Sequence, residues 1–157
     1  MMVFNTIFGG GVSSRLFQKV REELALVYSI YSSPSAYPGC GDFTVYSAAT
    51  PKNSPRVISQ ILEEADKLIQ KGVSEKELAQ AKAQLRTSFV LSQESAYARM
   101  SYLGTQYLLD APMQSPAQTL RGIERVTEKM VIGLAREIFS QSPSMAVVGK
   151  GSAKLLK

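Results

Sequence analysis

The chain has 157 residues, 45% of them hydrophobic and 20% charged, which suits one globular domain with its own core and excludes a disordered or fibrous protein. Its net charge of +5 comes from 18 basic and 13 acidic residues, yet the signs are interspersed: Lys67 follows Glu63, and Lys76 lies between Glu75 and Glu77, as on solvated helix faces rather than a nucleic-acid footprint. There is no histidine and one cysteine, so no histidine-bearing triad, H-x-x-E-H zinc site, His general base or internal disulfide can be built.

No run approaches the ~20 apolar residues of a membrane span, and Met1-Met2-Val3-Phe4-Asn5 has neither the basic start nor the apolar centre of a secretory signal. A lone Cys40 reads as a small, partly buried hydrophobe in a turn region, and points to a reducing, cytoplasmic compartment.

In chain order, residues 2–8 are apolar and read as the last turns of a helix that ends at Gly9-Gly10-Gly11. Ser13 is the expected N-cap of a helix over 14–24, with Leu16, Phe17, Val20 and Leu24 on one stripe. At ~100° per residue Arg21 falls about 85° from the centre of that stripe, on its border. Residues 27–33 alternate as a strand, Pro38 to Asp42 form a turn, and Phe43 to Ala49 make a second, antiparallel strand.

Ser54 is expected to cap a helix beginning at Pro55, with Val57, Ile58, Ile61, Leu62, Ala65, Leu68 and Ile69 on its apolar side and Gly72 at its end. Ser74 and Glu77 have capping-box spacing and open a helix marked by Leu78, Ala81, Leu85 and Phe89. Further helices are predicted over about residues 95–109, over Pro116 to Glu124, and after Thr127 with Val131, Leu134, Ala135 and Ile138 inward. Met145 to Gly149 reads as a terminal strand and 151–157 as a tail.

Strands and helices are segregated, so the class is α+β, with an antiparallel or mixed sheet packed against several helices in a single domain over 1–150. Three strands make a thin sheet for so many amphipathic helices. No G-x-S-x-G, P-loop or dinucleotide fingerprint occurs. The acids lie mostly on exposed helix faces, which argues against a carboxylate-only metal site.

The run Gly9-Gly10-Gly11-Val12-Ser13-Ser14-Arg15-Leu16-Phe17, then Val20-Arg21-Glu22 and Leu26-Val27-Tyr28-Ser29, resembles the C-terminal-half signature of the insulinase (pitrilysin) family of zinc peptidases. It is most similar to short bacterial members related to the mitochondrial processing peptidase. Tyr37-x-Gly39-x-Gly41-x-Phe43, Val73-Ser74-Glu75-Lys76-Glu77-Leu78 with Ala81-Lys82, Val126-Thr127 and Val148-Gly149 continue the resemblance over about residues 5–150.

The resemblance implies a domain that closes on a complementary, H-x-x-E-H-bearing domain or subunit around an unfolded peptide. That other half would carry the zinc, and this chain would hold no metal and be inactive alone. Arg21 and Tyr28, seven residues apart, stand at the family's substrate-binding and transition-state positions. Gly9, Gly10 and Gly11 are either a substrate-contact loop or a helix-terminating turn. Two departures are visible. Ala25 stands where the family carries Gly, and since Ala tolerates φ > 0 poorly, a differently shaped loop before Tyr28 is expected. The family's first strand is also missing, so the chain reads as N-terminally truncated, with an open sheet edge that invites a homodimer or domain swap. The rival functions are a non-catalytic, core-protein-like subunit of the same fold and, on pI alone, a basic nucleic-acid-binding module; no membrane partner is expected.

Overall fold

The computed structural model describes residues 1–37 and 39–150. The elements are α1 (Met2–Phe8), a π-helix (Phe17–Glu23), β1 (Val27–Tyr37), β2 (Cys40–Ala49), α2 (Ser54–Lys71), α3 (Glu75–Ser92), α4 (Ala96–Leu108), α5 (Pro116–Glu124) and α6 (Glu128–Phe139). The helix-rich α+β class read from the sequence is borne out, and the sheet is an antiparallel β1–β2 hairpin.

The core explains why such short pieces hold together. Every residue from Val3 to Phe8 is buried, the apolar Val3, Phe4, Ile7 and Phe8 together with the polar Asn5 and Thr6. Phe4 and Phe8 meet Phe43 of β2 and Phe139 of α6, with ring centroids 5.0–6.3 Å apart. Tilted and edge-on aromatic contacts of this kind add about 0.5–1.5 kcal/mol each beyond area burial. A lone hairpin is marginal in water; this one is held because Ile30 and Ser32 of β1 turn into the core beside α1. The Ser32 hydroxyl donates to Asn5 Oδ1 at 2.7 Å, which satisfies both buried polar groups. On the outer face Tyr31 and Tyr46 are directly paired and stacked, with centroids 5.0 Å apart.

Several sequence expectations need correction. Met145–Val148 forms no strand: it finds no ladder partner among the described residues, and Val148 is 100% exposed. Pairing, not the local apolar pattern, decides strand formation. The turn is tighter than expected, because Tyr37 pairs with Cys40, so Cys40, Gly41 and Asp42 belong to β2. Cys40 is therefore an exposed strand residue rather than a half-buried turn residue. The tail over 151–157 lies outside the described residues.

The capping details also shift. Ser14, not Ser13, is buried at the start of the second helical segment, and the Phe17 N–H lies 3.5 Å from its hydroxyl. α2 begins one residue early: Asn53 is its N-cap position, its side-chain amide donates to the Leu26 carbonyl, and Ser54 donates to the Thr50 carbonyl. Ser74 does cap α3, accepting from the Glu77 N–H at 3.2 Å. The reciprocal half of that box is replaced, since the Glu77 carboxylate is taken by Arg15. α5 and α6 lie where expected, α6 with Thr127 accepting from the Met130 N–H.

No helix among the described residues is long and apolar enough to cross a membrane.

Candidate functional site

The glycine run is used up largely by packing. A Cβ on Gly9 would lie 2.8 Å from the Ser32 backbone nitrogen, whose N–H donates to the Gly9 carbonyl at 2.9 Å. A Cβ on Gly10 would lie 2.9 Å from the Asn5 carbonyl, which already accepts from the Gly9 and Gly10 N–H groups. Gly9 lets the end of α1 touch β1 and Gly10 lets the chain fold back over Asn5, so the geometry favours the turn reading. Gly11 is only half-buried, and a Cβ there would meet the flexible end of Gln84 at 3.1 Å.

Arg15 follows the loop and locks it. Its Nε donates to Glu77 Oε1 at 2.6 Å and its Nη2 to Glu77 Oε2 and to the Gly72 carbonyl, both at 2.8 Å. This fork-to-carboxylate geometry is specific to a guanidinium. It pins the start of the next segment to the α2–α3 junction.

That segment is a π-helix rather than the expected α-helix. The Leu24 N–H reaches back five residues to the Lys19 carbonyl at 3.1 Å, and the Leu26 N–H six residues to Val20 at 3.0 Å. Such wide turns are rare and are frequently found at functional sites. Leu16 and Val20 still face the core. Arg21 is half-exposed, as its border position predicted, with its guanidinium carbon 4.6 Å from the Phe17 ring centroid and 5.9 Å from that of Tyr28. Its ion pair with Glu22 is long, 3.7 Å, so the fork is held by ring faces more than by charge.

Two backbone features aim Tyr28. Ala25 adopts φ +48°, so the loop takes a left-handed residue at this position without a glycine. The cost is about 1–2 kcal/mol. Next, the β1–β2 register slips between Val27 and Ser29, leaving Tyr28 as an extra residue. Strict alternation would turn Tyr28 to the same side as Ile30 and Ser32, into the core. The bulge lets Val27 and Ile30 both stay buried while Tyr28 stands 85% exposed. Among the described residues its hydroxyl has no hydrogen-bond partner. The sequence carried a sign of this: Val27 and Ile30 are three apart, an odd spacing that period-two pleating cannot bury twice.

A separate groove of about 530 Å³, lined by Arg15, Gln18, Lys19, Glu22, Glu23 and Glu64, lies along the π-helix and includes neither Arg21 nor Tyr28. Its charges are committed to partners: Arg15 to Glu77, Lys19 to Glu23, and Glu64 to Lys67. Lys67 also bonds Glu63 at 2.8 Å and holds that carboxyl below its usual value of 4.5. We assign this groove no chemistry.

With no histidine in the chain and, among the described residues, no three His, Cys, Asp or Glu side chains grouped to hold a metal ion, the residues present do not fit zinc.

Residues 1–85 match the family model of the peptidase M16 inactive domain. An uncharacterized zinc protease of Streptomyces coelicolor is 38% identical over 149 residues, which is 95% of this chain and 32% of the relative. The crystal structure of a conserved protein from Enterococcus faecalis superposes with a TM-score of 0.75 at 30% identity, over 86% of this chain and 31% of that one. A peptidase M16 inactive domain from Pseudomonas fluorescens gives 0.76 at 23% identity over 87% and 32%, a likeness of fold. The chain thus spans about a third of the length of each of these three proteins.

Proposed function

The chain belongs to the peptidase M16 inactive-domain family, and from that premise we propose that it is the substrate-holding, non-zinc half of an endopeptidase that cleaves unfolded peptides. The observation that carries this reading is the pairing of Arg21 with an outward-aimed Tyr28 whose hydroxyl has no partner among the described residues. The Arg21 fork donates to a peptide carbonyl, and its stacking between two rings restricts the side chain beforehand. The Tyr28 hydroxyl donates to the oxygen that gains charge as the scissile carbonyl is attacked. Zinc, its water and the general base come from the complementary H-x-x-E-H-bearing half. The glycine run shapes the turn rather than touching substrate. The single thiol, exposed on β2, fits a reducing, cytoplasmic setting. The open outer edge of β2 offers strand pairing to a second chain.

The test is made in the intact enzyme that contains this domain. Tyr28→Phe should lower kcat/KM by about 10²–10³, the range for one oxyanion donor, with KM little changed. Arg21→Ala should also lower it. Values within twofold of wild type for both would refute the assignment.

A further inference from the structure

α2 starts unlike the helices that follow it. α3, α4, α5 and α6 each open on a Ser or Thr in extended conformation, whose hydroxyl accepts a backbone N–H of the first turn. Asn53 holds the same position on α2, but its backbone is already helical and its side chain caps nothing. The amide turns to a distant loop instead: Nδ2 donates to the Leu26 carbonyl at 3.1 Å. Leu26 lies between Ala25, at φ +48°, and Val27, where the ladder begins before its register slips at Tyr28. The Leu26 side chain is buried, and its N–H donates to the Val20 carbonyl at 3.0 Å. A strained residue such as Ala25 persists where its surroundings over-determine it. Here they close a ring. Val27 pairs with Ala49, the Asn53 and Ser54 N–H groups donate to the carbonyl of the next residue, Thr50, and the Asn53 amide returns to Leu26.

We propose that Asn53 is a positioning residue for Tyr28: by gripping the Leu26 carbonyl, two residues before the tyrosine, it holds the loop in the arrangement from which the bulge turns the Tyr28 ring outward beside Arg21. The inference rests on the reading of Tyr28 as the donor to the developing oxyanion. Tyr28 is 85% exposed, and its ring lies 5.9 Å from the Arg21 guanidinium carbon. Its aim is therefore set by the backbone beneath it more than by packing around it. Without the amide, the carbonyl of a buried residue loses a hydrogen bond and turns toward another donor. That rotates the Leu26–Val27 peptide, and the hydroxyl, at the far end of the ring, swings furthest. A misplacement of about 1 Å can cost on the order of 10²-fold in rate.

The test is a double-mutant cycle in the intact enzyme that contains this domain. Asn53→Asp keeps the size of the side chain and suits a helix start equally well, but an ionised carboxylate cannot donate to a carbonyl. It should lower kcat by about 10–10²-fold with KM and Tm little changed, and Asn53→Ala should lower kcat as far. In a Tyr28→Phe background Asn53→Asp should cost almost nothing more, since no hydroxyl is left to aim. A second readout needs no activity: in spectra of the chain carrying ¹³C-labelled tyrosine, Asn53→Asp should displace the Tyr28 ring resonances and leave those of Tyr97 and Tyr107 in place. A lower Tm with unchanged kcat would make Asn53 a structural tie and overturn the proposal. So would an equal loss with and without the Tyr28 hydroxyl, or an unmoved Tyr28 resonance. In each of these cases a Tyr28→Phe enzyme that is itself impaired leaves the reading of the site standing. A Tyr28→Phe enzyme as active as wild type overturns that reading and this inference with it.

Discussion

Ala25→Gly should make the protein more stable, which is unusual for a substitution to glycine. The alanine sits at φ +48°, where an L side chain costs about 1–2 kcal/mol. Glycine removes that cost but gives the unfolded chain more freedom, worth about 0.4–1 kcal/mol in the opposite direction. The methyl group is exposed, so no burial is lost, and the net expectation is a gain of about 0.5–1 kcal/mol. For a chain of this size that corresponds to a rise in Tm of roughly 1–4 °C. Urea unfolding followed by far-ultraviolet circular dichroism would read it as a higher midpoint at unchanged slope. Ala25→Val, branched at Cβ, should move the midpoint the other way. A lower midpoint for the glycine variant, or equal midpoints for glycine and valine, would refute the left-handed loop and with it the account of how Tyr28 is aimed.

Gly72→Ala should cost about 2 kcal/mol or more: φ is +74°, and the new Cβ would collide with the Glu128 carboxylate that accepts the Val73 N–H. Chemical denaturation measures it. Arg15→Ala should lose about 1–2 kcal/mol with its hydrogen bonds to Glu77 and the Gly72 carbonyl, and Arg15→Lys should recover less than half, because an ammonium cannot reproduce the fork. Hydrogen exchange should then quicken around the π-helix and the α2–α3 junction. Lys67 lowers the pKa of Glu63 by a hydrogen bond. A depressed carboxyl adds stability that is full above its unfolded value and is lost as pH falls through the folded one. Wild type and Lys67→Met should therefore differ slightly in urea midpoint near neutrality and converge in acid. A difference that widens in acid would contradict this.

What the sequence revealed was local. Thr127, Ser74, Pro116 and the apolar spacing of Val131, Leu134, Ala135 and Ile138 fix helix starts and faces within a few residues of themselves, and α5 and α6 fall where those signals put them. The border position of Arg21 also survives, because its neighbours Leu16 and Val20 anchor the segment whatever its pitch. The unread features depend on distant partners. Glu77 has capping-box spacing, but its carboxylate goes to Arg15, far away in sequence. Met145–Val148 has a strand's composition and no neighbour to pair with. The π-turn and the bulge adjust one residue each, to bury Val20, Val27 and Ile30 together while Tyr28 leaves the core.

The aromatic cluster that joins α1 to α6 also sets a clock. Phe4 stacks on Phe8 and meets Phe139, near the other end of the chain. At a synthesis rate of roughly 5–20 residues per second, Phe139 follows Phe4 by about 7–27 s. For that interval α1, buried along its length in the folded domain, has no α6 to cover it, while the hairpin beside it can close within microseconds. Of the described elements α1 is thus made first and is among the last to be buried, and a chaperone that grips short apolar segments would find a hold at Val3–Phe8.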